Sequence, residues 1–268
     1  MTGILFYLFL LTQLIVFSAG SVAAETIGWF PSQTVFDLPR ANLREPVITF
    51  RYFQEKDKDM AEANIGVRLM FRGWEKNGVT YQTGIEGGAF NTDQINTNPI
   101  TLKNTDYRVA VPLYFQKGNF SGRFQVYHQS SHLGDTYEKN TGRESIHWSR
   151  QKVDLLLAEK IGRLRIYGGG GLLFDVDPDV EKGALQAGWE YVRPVSNDWD
   201  FYFSQDLQSR AEVGWNLDTT TQTGFGFHDR NGRERIRFFL EYFRGHSPEG
   251  QFSDDVEEWT GIGSSLFL

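Results

Sequence analysis

From residue 47 to the C-terminus the chain repeats one pattern: alternating apolar and polar residues in runs of strand length, closed by Gly, Asn or Asp. In residues 64–74, Ile65, Val67, Leu69 and Phe71 share one face, while Asn64, Gly66, Arg68 and Arg72 share the other. Asn77-Gly78 predicts a tight hairpin, and residues 79–90 return with Val79, Tyr81, Ile85 and Ala89 on one side. Residues 233–244 set Ile236, Phe238, Leu240 and Tyr242 against Arg235, Arg237, Phe239 and Glu241. A period of two sends successive side chains to opposite faces of a sheet. No segment holds the 3.6-residue period of a long helix. A chain of this kind is confined to all-β architectures.

Alternating segments fall at 47–54, 64–74, 79–90, 106–116, 120–135, 147–158, 162–176, 184–194, 199–207, 211–227, 233–244 and 257–268. Residues 57–62, 91–104, 139–145, 177–183, 229–232 and 245–255 read as turns and polar loops. Pro112, inside 106–116, predicts a bulge or a locally unpaired position, because proline cannot donate to a ladder. The expectation is a single antiparallel up-and-down transmembrane β-barrel of about 12 strands, with about 20 residues per strand and connection. A secreted soluble β-barrel binding protein is the competing architecture, since alternation does not say which face is enclosed.

Composition narrows the setting. The formal net charge is −7 and the pI near 5.3, so no basic excess exists for a nucleic-acid partner. With no cysteine, neither a disulfide framework nor a thiolate metal site is available. A mean hydropathy of −0.41 excludes a bundle of membrane helices. It does not exclude a membrane barrel, whose strands need apolar residues only at alternate positions. Residues 4–17 are apolar apart from Thr12-Gln13, and small residues follow up to Ala24. This predicts a signal peptide over 1–24, with the barrel domain over 25–268. Gly263 to Leu268 resembles the terminal signal by which outer-membrane barrels are recognised. The expected location is therefore the bacterial outer membrane, and the expected partners are its lipid and the barrel-assembly machinery. Oligomeric state is left open. Trp74, Tyr114, Trp148, Trp199 and Trp259 are candidates for interfacial girdles.

The most distinctive stretch is FSGRFQVYHQSSHLGD, residues 120–135. As a strand, it carries Ser121, Arg123, Gln125, Tyr127, Gln129 and Ser131 on one face. Phe124, Val126, His128, Ser130 and His132 lie on the other. The His128/Ser130 pair is the candidate for chemistry on lipid, since an imidazole beside a serine can take the hydroxyl proton. Asp135 and His147 are possible orienting groups for that imidazole. A divalent cation such as calcium belongs only to this hydrolase reading. The i, i+4 histidines 128 and 132 lack the helix of the familiar zinc motif, so no metal ligands are assigned. Ser131, His132, His246 and Gln251 are candidate binding residues, the last two from GHSPEGQF (245–252), which suits a tight structural loop. Equally, the histidines and Asp135 suit the ordering of a loop by hydrogen bonds.

HQSSHLGD (128–135), DYRVAVPL (106–113) and GHSPEGQF, with LREP (43–46) and RIYGGG (165–170), resemble signature stretches of an uncharacterised bacterial family, domain of unknown function 1207. The resemblance implies an outer-membrane-type β-barrel and no particular activity. The H-x-S spacing is also similar to that of outer-membrane phospholipase A and of lipid A deacylases, but Ser131 stands where those continue with Asn. Two functions follow as expectations: a structural or pore-like barrel with a lumen lined by Arg, Gln and Glu, or a lipid-facing serine hydrolase of phospholipase or lipid A deacylase type.

Overall fold

The computed structural model describes residues 25–31, 33–230 and 232–267. The expected signal peptide lies outside the described residues. The strands are β1 (Glu25–Trp29), β2 (Ile48–Glu55), β3 (Lys58–Lys76), β4 (Val79–Gln94), β5 (Thr101–Lys117) and β6 (Phe120–Leu133). They continue with β7 (Trp148–Ile161), β8 (Leu164–Asp177), β9 (Gly183–Pro194), β10 (Trp199–Arg210), β11 (Leu217–His228), β12 (Glu234–His246) and β13 (Val256–Leu266). A short helix, α1 (Asp135–Thr141), follows β6.

Each strand from β2 to β13 pairs antiparallel with its sequence neighbour, and β13 pairs with β2 from Trp259↔Glu55 to Leu266↔Ile48. That last ladder closes an up-and-down barrel of twelve strands. β1 stands outside the closure and extends the pairing of β3 at Gly28↔Gly73 and Trp29↔Arg72. The two barrel ends differ. Tight turns at 77–78, 118–119 and 162–163 mark one end, which also holds the start of β2 and the end of β13. Longer connections at 95–100, 134–147, 211–216 and 247–255 mark the other. Pro112 sits where the β4–β5 ladder skips from Thr83↔Leu113 to Glu86↔Ala110, as expected of a residue without an N–H.

The apolar faces point away from the barrel axis. Ile65 is 65 % exposed and Leu240 57 %, whereas Arg123 is 2 % and Gln125 1 % exposed. A soluble barrel would pool its apolar side chains inside, so that alternative is excluded. An outward apolar band of this extent needs an apolar surrounding.

The lumen is filled. Residues 33–47 run inside the barrel ahead of β2. Phe36 and Ala41 on this segment are fully buried. Phe36 packs with Met70, Tyr114, Leu156 and Tyr167 near the turn end, while Leu43 packs with Phe53, Met60, Phe243 and Trp259. Passage requires a glycine at 66: a Cβ there would lie 2.2 Å from the Pro46 carbonyl carbon and the Val47 nitrogen. The chain from β12 to β13 also folds inward, and its Phe252 packs on Leu133 and Tyr137.

Several expected boundaries shift for physical reasons. Residues 57–62 are not a turn. Only Lys56-Asp57 turn, with Lys56 at φ 56°, and Glu62 faces the lumen, where its charge is paired. Both ends of 91–104 are strand, because Thr92, Thr101 and Asn104 are lumen residues. A helix occupies 135–141, where the pattern suggested the end of a strand and a loop. Ala211–Val213 form one 3-10 turn ahead of β11. Tyr114, Trp148 and Trp259 are buried rather than girdle residues, since they share the parity of the lumen side chains. Trp199 is exposed.

Candidate functional site

Two regions involve the residues singled out by sequence. The first is on the outer wall near the loop end. His128 and Ser130 lie on the outward face of β6. Register places His128 between Val109 of β5 and Gln151 of β7, and Ser130 between Tyr107 and Ser149. The outward rows continue from Gln151 to Asp175 and from Ser149 to Asp177 on β8. The Gln151 amide donates to the Asp175 carboxylate, and His147 Nδ1 lies 2.7 Å from Asp177 Oδ2. His147 thus pairs with Asp177 in the row of Ser130 and not with His128. Asp135 is exposed at the start of α1. His132 is exposed and meets the Tyr107 ring edge-on at 5.7 Å. His128 Nδ1 is buried without a hydrogen-bond partner. Among the described residues no hydrogen bond joins His128 to Ser130.

Asp175 and Asp177 were not expected on this face. The signal that hides them is a bulge: the β7–β8 register shifts between Gln151 and Lys152, so Phe174 is an extra residue and the parity of β8 reverses. Simple alternation counted from Leu172 would have turned both acids inward.

The second region is a polar knot inside the loop end. Here three of the stretches that mark the family resemblance meet. The Gln251 N–H donates to Ser131 Oγ at 3.0 Å, and its side-chain amide donates to the carbonyls of Ser131 (2.9 Å) and Ile146 (2.7 Å). Ser131 Oγ donates to Asn104 Oδ1 at 3.1 Å, and the Gly250 N–H approaches both Asp106 carboxylate oxygens at 3.3 and 3.4 Å. The loop therefore crosses the lumen from β12 to reach β5, β6 and β7. Gly250 permits this, since a Cβ would lie 2.5 Å from Ser131 Cβ and 2.6 Å from the Trp148 ring. Lys103 forms ion pairs with Glu249 at 3.0 Å and Glu257 at 3.2 Å, and caps the Phe252 ring at 4.3 Å. His246 is directed elsewhere: its N–H and Nδ1 lie 2.7 and 3.1 Å from Asp218 Oδ1. Of the four candidate binding residues, Ser131 and Gln251 are brought together, while His132 and His246 are not.

Below the knot, residues 40–45 are held by charge. Arg123 donates to both Glu45 oxygens, at 2.7 and 3.1 Å. Arg44 pairs with Glu62 at 2.9 Å, and Glu62 also pairs with Arg51. Arg40 reaches Glu234 at 2.8 Å, and its N–H reaches Glu190 at 2.6 Å. Burial raises the Glu45 carboxyl, but the Arg123 guanidinium, helped by Arg108 and Asn42, more than offsets it and holds that group below the ordinary carboxylate range. Sequence reasoning missed residues 33–47 as a lumen element. Its signal was a stretch with Pro31, Pro39 and Pro46, alternating with neither period, yet carrying Phe36, Leu43 and paired charges.

Comparison with known proteins agrees with the architecture. No curated protein sequence matches the chain. Among solved structures, outer membrane phospholipase A from Escherichia coli is similar, at 15 % identity and a TM-score of 0.56, covering 87 % of this chain and 94 % of that one. The dimer of the Salmonella typhi outer membrane phospholipase with bound calcium is similar at 12 % identity and a TM-score of 0.54, with the same coverages. The NanC porin aligns at 14 % identity and a TM-score of 0.48, covering 82 % of this chain and all of that one. At these identities the likeness is one of fold: an outer-membrane-type β-barrel. The family model for protein of unknown function DUF1207 matches residues 35–267, a span that takes in most of the lumen segment, the knot and every barrel strand, and the chain belongs to that family.

Proposed function

We propose that this protein resides in the outer membrane as a closed structural barrel, one that does not conduct in its resting state. The observation that supports this most is the lumen segment, bound to opposite walls by Arg123–Glu45, Arg44–Glu62 and Arg40–Glu234. Ion pairs of this kind lie across the path a solute would take. The inward loop, fixed at Asp106 and Ser131, covers the other end. The Arg and Glu side chains expected to line a pore are in large part engaged with one another. Reconstitution into planar bilayers tests this: the full chain is expected to give no stable current steps. A steady ohmic conductance at low voltage would overturn the reading.

A second reading is favoured by the outward placement of His128, Ser130 and Gln151. On this reading Ser130 Oγ attacks a lipid ester carbonyl while His128 accepts the hydroxyl proton and passes it to the leaving alcohol, water activated by His128 then hydrolyses the acyl-serine to free the fatty acid and restore Ser130, and Gln151 steadies the ring. His128 Nδ1 has no hydrogen-bond partner to give up. Release of fatty acid from mixed phospholipid micelles, lost in Ser130→Ala with folding retained, supports it. Equal release by the wild type and Ser130→Ala, or none by either, removes it.

A further inference from the structure

The bulge at Phe174 sets two acids of β8 at the ends of two rows that start on β6. One row runs His128, Gln151, Asp175, and the next runs Ser130, Ser149, Asp177. Bulges re-aim side chains in this way and gather beside active sites. Nearer the membrane centre the outer face of β8 is apolar, with Ile166, Leu172 and Phe174 at its surface, so the two carboxylates break the pattern of their own strand.

The first row has a chemical direction. An ionised carboxylate only accepts hydrogen bonds, so an amide bound to it turns its nitrogen toward it. Gln151 does so: its Nε2 donates to Asp175 Oδ2. The other end of the amide, Oε1, has no hydrogen bond among the described residues. On the side away from Asp175, the residue directly opposite Gln151 is His128, and cross-strand pairs on one face hold their Cβ atoms about 4.5–5.5 Å apart. His128 Nδ1 is buried and also lacks a partner. A carbonyl offered to that nitrogen selects one tautomer of the ring: Nδ1 carries the hydrogen, and the lone pair is left on Nε2 to receive a serine proton. A reversed amide would offer N–H groups instead, draw the lone pair to Nδ1 and put the hydrogen on Nε2, where the ring is no base toward Ser130. Asp175 is the group that decides between these two orientations.

We propose that Asp175 is a positioning residue, fixing the Gln151 amide so that its carbonyl receives the His128 Nδ1–H and Nε2 is free for the Ser130 proton. This role rests on the lipid-hydrolase reading of His128 and Ser130, and adds to it the group that sets the tautomer. The probe is the His128 ring. Full-length protein carrying nitrogen-15 histidine, folded in detergent micelles, is compared with Asp175→Asn and Asp177→Asn, and the His128 signals are assigned by their loss in His128→Ala. Folding of each variant is checked by heat-modifiable gel mobility. At about pH 8.5, where an imidazole is uncharged, the wild type is expected to show one tautomer with the hydrogen on Nδ1. Asp175→Asn, whose amide accommodates Gln151 in either orientation, should give a mixture. Asp177→Asn, which removes an equal charge from the next row, should leave the tautomer as it is. In mixed phospholipid micelles Asp175→Asn should lower kcat for fatty-acid release by roughly tenfold or more, with KM within about twofold. An unchanged tautomer in Asp175→Asn overturns the proposal, as does an equal change in Asp177→Asn or a wild-type ring without the hydrogen on Nδ1. Undiminished release by Asp175→Asn beside an active wild type overturns it too. A wild type that releases no fatty acid removes the hydrolase reading instead, and the ring signals still decide whether Asp175 sets the tautomer.

Discussion

The two faces of β6 treat polar groups in opposite ways. On the lumen face, Arg123 is locked to Glu45, Gln129 approaches Asp106, and Ser131 is bonded to Asn104 and Gln251. On the outer face, one residue away at each step, His128 Nδ1 is unpartnered and His132 is exposed beside Tyr107. The backbone is shared, so propensity does not separate them. What separates them is the N-terminal segment and the inward loop, which bring partners to one face only. Inside the barrel, polarity is structural. On the outer wall it makes no comparable contribution to the fold, which is why a chemical role is sought there.

This contrast predicts a graded series of effects. The largest is expected from removing residues 33–47: Arg123, Arg165 and Glu190 lose contacts to that segment, and the refolded barrel should both unfold at markedly lower denaturant and give current steps in planar bilayers. Next comes Arg123→Ala, which leaves Glu45 buried and uncompensated, at a cost of about 3–5 kcal/mol in equilibrium unfolding. The double change Arg123→Met with Glu45→Leu should recover most of that loss, because the isolated charge is then gone. If the single and double changes are equally harmful, packing and not charge governs the segment.

Gly250→Ala sharpens the comparison at the loop end. The added carbon meets Ser131 and Trp148, so about 1–3 kcal/mol of overpacking is expected, with faster proteolysis within 247–255. The acid limb provides a milder effect. Glu45 is held below its unfolded value, so the stability it contributes is complete above that unfolded value near pH 4.3 and is lost as pH falls through the lower folded one. Unfolding midpoints measured from pH 6 to pH 3 should fall less steeply in Glu45→Gln than in the wild type. The smallest effect is expected on the outer wall: Ser130→Ala should change stability by no more than about 0.5 kcal/mol, whatever it does to acyl release.

Much of the barrel was legible because alternation is a direct record of two environments. Ile65, Val67, Leu69 and Phe71 already defined one side of β3, and Asn77-Gly78 its turn. The direction of the faces was not legible, since inside-out and ordinary barrels alternate alike. The exposure of Ile65 and Leu240 shows that the apolar faces point outward. Bulges erased local information: Phe174 reverses β8, and parity counted along the chain then misplaces Asp175 and Asp177. The lumen segment was hidden for a different reason. It has no periodicity of its own, because its contacts alternate between walls that are distant in sequence, from Gln82 to Glu234. The meeting of Ser131 with Gln251 likewise depends on a loop crossing the barrel, and strand order alone left that distance open.

The central claim is that the N-terminal segment occupies the lumen against β6, and cross-linking tests it most directly. The chain contains no cysteine, so a Glu45→Cys, Arg123→Cys double variant carries only the two thiols of interest. Treating the folded protein with a short bis-maleimide should yield one intramolecular adduct, seen as a shift on a denaturing gel, and neither single variant should give it. Separate labelling of both thiols without a bridge would place the segment outside the barrel and contradict the account.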